Sequence, residues 1–333
     1  MKLNTLFTPG AVLAAHKEIR FFGEGTEGGK ITFNGITKEI TTEGDKWCVS
    51  FPPMEYGGPY TLTLTTENEE ISVSDIYLGE VYLFSGQSNM TFPLYATNTP
   101  AELYEENERL SLFSLTTKPC GDECWKKAKI GTIENFSALG YLVGNAIAKE
   151  KNIAVGIILC SQGASALESW VPAGTLARLG INIPIEEKHL DHWHEEYGAW
   201  NAESYLFNER LIKFIPYSLS GAVWYQGESD ASEEEGKVYE RMLKELIRIW
   251  RELFKFPDMP FTIVQLADTH VRMAQGPGWR MVQEAQARAA ENTKNAYLAI
   301  SRDVSETDDI HPKSKLVLAE RITDIVKKHY FDN

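Results

Sequence analysis

The feature that most restricts how this chain can fold is a change of pattern near residue 75. Upstream, β-branched and aromatic runs at residues 18–22, 30–33, 38–41, 47–51, 60–65 and 70–74 are cut by turn residues, which is the text of antiparallel strands. Asn34-Gly35 separates two such runs, where a type I′ turn needs positive φ twice, and Gly57-Gly58-Pro59 reads as a further reversal. Downstream, apolar strands are expected at 81–84, 153–160, 221–225, 261–266 and 296–300, with helices at 136–149, 205–214, 233–254, 280–290 and 313–329. That alternation belongs to a parallel sheet with helices on both faces. The helix at 233–254 is the best marked: Ser232 and Glu235 have capping-box spacing, and Val238, Met242, Leu246 and Ile249 recur at helical intervals. The expectation is a small all-β, sandwich-like domain over residues 1–75 followed by an α/β domain over 76–333.

Charge narrows the function. With 33 Lys and Arg against 47 Asp and Glu, the net charge is −14, and so acidic a surface repels a phosphate backbone. Nucleic acid is therefore not an expected partner. No run is long and apolar enough to span a bilayer, so no membrane is expected either. Thr8, Pro9 and Gly10 break the apolar stretch near the N-terminus, and a cytoplasmic location is expected. Cys48, Cys120, Cys124 and Cys160 read as reduced thiols, and the Cys120 and Cys124 pair lacks the second pair that a zinc site needs.

In open α/β sheets, ligands bind beyond the carboxyl ends of the strands. There this chain places Ser85-Gly86-Gln87-Ser88-Asn89-Met90, Ser161-Gln162-Gly163-Ala164, Gln226-Gly227-Glu228-Ser229-Asp230 and Asp308-Asp309-Ile310-His311-Pro312. A serine hydroxyl attacks an ester only when a base takes its proton, and that base needs a carboxylate to fix its tautomer. Ser88 as nucleophile, His311 as base and Asp308 as the orienting carboxylate supply those functions. The Ser88 and Gly163 backbone N–H groups and the Gln226 side-chain amide are candidate donors to the oxyanion. This chemistry requires no metal and no organic cofactor.

Gly86-Gln87-Ser88-Asn89-Met90, Trp224-Tyr225-Gln226-Gly227-Glu228-Ser229 and Asp308-Asp309-Ile310-His311-Pro312, in this order, resemble motifs of SGNH hydrolases. The resemblance is to the sialate O-acetylesterase and plant-type acetylxylan esterase branch, and it runs through nearly the whole chain. It implies a three-layer flavodoxin-like fold and a serine carbohydrate O-acetylesterase acting on acetylated oligosaccharides or sialic acids through an acetyl-serine. The general pattern has Gly-Asp-Ser and Gly-x-Asn-Asp where this chain has Gly86-Gln87-Ser88 and Gln226-Gly227-Glu228-Ser229. No segment between the motifs has the strand-rich text of the β-domain that larger sialate esterases insert.

Other residues carry two readings. Gln87, Asn89, Glu228, His270 and Arg280 either support the catalytic loops or touch substrate. Trp170, Trp224 and Trp279 either stack on sugar rings or fill the core. His189, His192 and His194 invite a metal-dependent hydrolase, but His192 and His194 would face different sides of a helix. An inactive carbohydrate-binding protein is a further alternative, against which the intact Ser88, Asp308 and His311 speak. Arg272, Arg280 and Arg302 are the arginines near strand ends that a sialate carboxylate could use. In so acidic a chain, a neutral acetylated sugar is the favoured substrate.

Overall fold

Short strands fill the first 65 residues, as their β-branched and aromatic text requires. They are β1 (Lys2–Leu3), β2 (Val12–Ala14), β3 (Ile19–Glu24), β4 (Gly29–Phe33), β5 (Ile36–Ile40), β6 (Thr42–Glu43), β7 (Lys46–Phe51) and β8 (Gly57–Thr65). The computed structural model from which they are taken describes residues 1–115, 124–183, 199–304 and 306–331. One antiparallel sheet has the order β1-β3-β7-β6, while β4 pairs with both β5 and β8. Asn34 (φ 47°) and Gly35 (φ 76°) make the positive-φ turn between β4 and β5. Gly57-Gly58-Pro59 does not reverse the chain. It opens β8, where the register shifts before Tyr60, so the glycines serve an irregularity within the strand and not a turn.

The strand β9 (Glu70–Gly86) joins the two halves of the fold. Its first part pairs with β8 and β2, and its second part lies at the centre of the larger sheet. The change of pattern near residue 75 thus falls inside one continuous strand, with Asp75 at φ 61°. Beyond β9 come β10 (Asn107–Leu115), β11 (Lys126–Ala128), β12 (Val155–Ser161), β13 (Gly221–Tyr225), β14 (Phe261–Val264) and β15 (Ala296–Ala299). Their order is β11-β10-β12-β9-β13-β14-β15, parallel from β10 to β15, with β11 antiparallel at the edge. β10 and β11 were not expected from the sequence, because the buried Ser111 and the neighbouring Ser114 interrupt the apolar run of β10.

Among the described residues the helices are α1 (Ser88–Thr91), α2 (Ala138–Lys151), α3 (Thr175–Arg178), α4 (Tyr205–Glu209), α5 (Glu233–Leu253), α6 (Pro277–Glu291) and α7 (Leu316–His329). The helix expected over 205–214 is the short α4 followed by a 3₁₀ turn at Leu211–Phe214. α5 starts on the expected capping box: Glu235 N–H donates to Ser232 Oγ at 3.2 Å, and Ser232 N–H donates to Glu235 Oε2 at 3.1 Å. α5 packs on α6 and α2 on α7.

The core lies along β9, β12 and β13, of which the last two are buried at every residue. Trp170, Trp224 and Trp250 meet edge to face at its centre, with centroids 6.0 and 5.5 Å apart. Trp170, Trp224 and Trp279 are therefore core side chains and present no face to a sugar, at 0%, 0% and 5% exposure. His189, His192, His194 and Cys120 lie outside the described residues. Among the described residues, no helix is long and apolar enough to cross a membrane.

Candidate active site

β9, β12 and β13 end side by side, Gly86 opposite both Ser161 and Tyr225, so their following loops share one end of the sheet. At β9 the chain order switches from one side of the sheet to the other, which opens a crevice between neighbouring loops. Gly86 is needed at this point. Its φ is +132°, and a Cβ would fall 2.0 Å from the Tyr225 carbonyl oxygen. The close approach lets Gln87 N–H donate to Tyr225 O at 2.9 Å and Gln162 N–H donate to Gly86 O at 3.0 Å, tying the three loops together.

α1 then begins at Ser88, which is partly exposed. Its Oγ lies 2.8 Å from His311 Nε2. The imidazole stacks on Phe92, with ring centroids 5.8 Å apart and planes 17° apart. Burial disfavours the imidazolium and lowers the His311 pKa from its ordinary value; Lys315 lowers it further and Asp309 opposes the shift. His311 thus stays neutral, able to accept a proton, to lower pH than an ordinary histidine.

The structure does not set Asp308 against the imidazole. Asp308 is exposed in the turn before His311, and no hydrogen bond joins the two among the described residues. The neighbouring carboxylate makes the contact: Asp309 Oδ1 accepts the His311 backbone N–H at 2.8 Å, which folds the turn carrying the ring.

Gly163 stands across from the serine, where a Cβ would lie 3.8 Å from Ser88 Cβ. Neither the Ser88 nor the Gly163 backbone N–H donates to a protein acceptor among the described hydrogen bonds. Gln226 is placed differently from the expectation. Its Nε2 donates to Ser165 O at 2.9 Å and to Asp230, while Oε1 accepts from Tyr239 Oη at 2.8 Å. Both amide hydrogens are spent in a fully buried network, so the Gln226 side chain knits loops together and is not aimed at an oxyanion.

The remaining expected residues divide in the same way. Gln87 Oε1 accepts from Gly227 N–H at 3.2 Å and Ser229 N–H at 3.4 Å, which makes it a brace between two loops. Asn89 and Glu228 meet behind Ser88: Asn89 Nδ2 donates to Glu228 Oε1 at 2.6 Å and to Ile310 O at 2.9 Å. His270 is exposed on the loop beyond β14, and its N–H donates to Thr307 O at 2.6 Å beside the His311 turn. Arg280 points away on the surface of α6 and pairs with Glu284 at 3.2 Å.

Two buried cations beside these loops have no sequence signature. Lys315 is buried and donates to Asn89 Oδ1 at 2.7 Å. Arg210, also buried, holds Ser161 O at 2.6 Å and Gln162 Oε1 at 2.7 Å, fixing the approach to Gly163. At the start of a helix or in a loop, a basic residue reads as solvated.

Known proteins share this fold. A solved carbohydrate acetylesterase from Xanthomonas citri superposes with a TM-score of 0.86 at 24% identity over 100% of this chain and 76% of its own, which shows a common fold. The sialate O-acetylesterases of Homo sapiens and Pongo abelii are each 27% identical over 90% of the chain, and the chain spans 65% of their length. The family model for carbohydrate esterase, sialic acid-specific acetylesterase, matches residues 78–326, from the middle of β9 into α7 and across every strand-end loop described above, and the chain belongs to that family.

Proposed function

We propose that this chain is a serine carbohydrate O-acetylesterase. The observation that carries the reading is the 2.8 Å contact between Ser88 Oγ and His311 Nε2 at the open end of the sheet. Ser88 Oγ attacks the acetyl carbonyl as His311 takes its proton, and the Ser88 and Gly163 N–H groups receive the negative charge on the carbonyl oxygen. Collapse breaks the bond to the sugar oxygen, which takes the proton from His311 and leaves as a free hydroxyl. Water, deprotonated by His311, then cleaves the acetyl-Ser88 ester and releases acetate.

Asp308 is the orienting carboxylate of this reading, three residues before His311 as in the family motif. Its exposed carboxylate must close on Nδ1 when substrate binds, since catalytic hydrogen bonds tighten in the productive complex. Asp309 keeps the turn folded. Family and relatives support an acetylated sugar as substrate. An acetate-release screen over acetylated sialic acids, xylo-oligosaccharides and manno-oligosaccharides tests the reading. Release from at least one class is expected, and none from any of them would contradict it.

A further inference from the structure

A buried charge network lies behind the Ser88 and His311 pair. Lys315, 1% exposed, caps the start of α7 and donates from Nζ to Asn89 Oδ1 at 2.7 Å. Asn89, 2% exposed, donates from its amide nitrogen to Glu228 Oε1 at 2.6 Å and to Ile310 O at 2.9 Å. One neutral amide therefore separates a buried cation from a buried carboxylate and also grips the residue next to His311. Which way the amide faces is fixed by charge. Exchanging its oxygen and nitrogen would put NH₂ against an ammonium and oxygen against a carboxylate. Glu228 Oε2 has no hydrogen-bond partner among the described residues, so the network is incompletely satisfied, a cost that a purely structural core would avoid.

Lys315 also lies near the ring that stacks on the imidazole. Its ammonium lies 5.2 Å from the centre of the Phe92 ring, and Phe92 is the ring stacked on His311. The Tyr225 ring is 5.5 Å away on another side. The charged groups acting on Lys315 are Glu228 from the loop after β13 and Glu306 and Asp309 from the His311 loop. Those acting on His311 are Asp309 and Lys315, both from its own loop; α1 and the residue just after it contribute Ser88 and Phe92, neither of them charged.

We propose that Lys315, held by Asn89 and countered by Glu228, is a positioning residue that clamps the His311 loop to the Ser88 loop and keeps a positive charge behind the imidazole. The assignment rests on the Ser88 and His311 reading and adds to it a named control of the base. Through Asn89 and Ile310 the network fixes the ring's distance from Ser88. Through its charge Lys315 disfavours the imidazolium, so that His311 is available as a base to lower pH. Burial lifts Glu228 above the ordinary carboxylate range and draws Lys315 below that of lysine, so each group needs the other to remain charged.

The test compares Lys315→Met, which keeps the side-chain length without the charge, with the doubly neutral Lys315→Met/Glu228→Gln. In both, kcat for acetate release is expected to fall about tenfold to a hundredfold with KM changed less than about threefold. The His311 titration midpoint, followed by NMR of the ring nitrogens, and the acid limb of kcat/KM should both move up by about half a pH unit or more. An unmoved midpoint in folded variants, or a rise in KM alone, would overturn the assignment. So would failure of both variants to fold, since the network would then determine the fold and not the base. Ser88→Ala assayed alongside separates the two readings. If it retains turnover, the serine reading falls; if it is inactive while both Lys315 variants behave as wild type, only the positioning role falls.

Discussion

At the scale of single residues, the proposed chemistry rests on a histidine whose environment disfavours its charged form. Burial and Lys315 both lower its pKa, so kcat/KM is expected to rise with pH through a midpoint below about 6.5, the ordinary histidine value. A pH profile of acetate release checks this, and a midpoint above that value would contradict it. The two adjacent aspartates are separable. Asp308→Asn is expected to lower kcat about a hundredfold or more, because the ring loses the carboxylate that supports its charged form. Asp309→Asn retains an acceptor for the His311 N–H and should cost less than about tenfold, with the acid limb moved to lower pH because a carboxylate that favours imidazolium is gone. The reverse ranking would make Asp309 the orienting residue. The positions of Ser88 and Gly163 were legible in the sequence because each stands just past a strand, where position along the chain dictates position in space, whereas His311 lies well beyond β15 and was singled out by its Asp308-Asp309-Ile310-His311-Pro312 motif. Gln226 also follows a strand, yet its side chain turns to Asp230 and Ser165. Spacing along a strand does not report that choice, because it is made by side-chain rotamers and by the partners they find. Lys315 escaped for the opposite reason, since its role depends on burial, which a lone lysine does not announce.

At the scale of elements, the site depends on how closely three strands approach. Replacing Gly86 by alanine would put a methyl 2.0 Å from the Tyr225 carbonyl oxygen at φ +132°, so the strands or the loop must move. Gly86→Ala is expected to cost about 3 kcal/mol or more of stability and most of the activity, measurable by denaturant unfolding with a parallel acetate assay. A variant as stable and active as wild type would show that this contact does not set the loop geometry. The strands that carry the site were readable because β12 and β13 are unbroken apolar runs, as strands buried on both faces must be. β10 was hidden by serines that a buried strand tolerates when they find partners, as Ser111 does with Lys127 Nζ at 3.2 Å. At Gly57 to Pro59, a turn-like triplet is used inside a strand, and the sequence signal for the two uses is the same.

At the scale of the whole molecule, β9 makes the N-terminal strands and the larger sheet continuous, so the loop bearing Ser88 grows from an element anchored at both ends. Net charge acts at the same scale. At −14 the protein repels an anionic sugar on average, and a sialate carboxylate needs a local cation. Arg280 is paired with Glu284 and Arg302 with Asp268, whereas Arg272 is exposed with no partner among the described residues. If sialates are turned over, Arg272→Ala is expected to lower kcat/KM for 9-O-acetylated sialate about tenfold and to leave acetylated xylo-oligosaccharides unaffected. Equal effects on both substrates would remove Arg272 from carboxylate recognition.

Whether Ser88 carries the acetyl group is tested by acetate release from purified Ser88→Ala beside wild type, on an acetylated sugar that the wild type cleaves. A partly exposed hydroxyl contributes little to packing, so the variant should melt within a few degrees of wild type while kcat falls by about a thousandfold or more. A folded Ser88→Ala protein that still releases acetate at a rate close to that of the wild type would show that Ser88 is not the nucleophile.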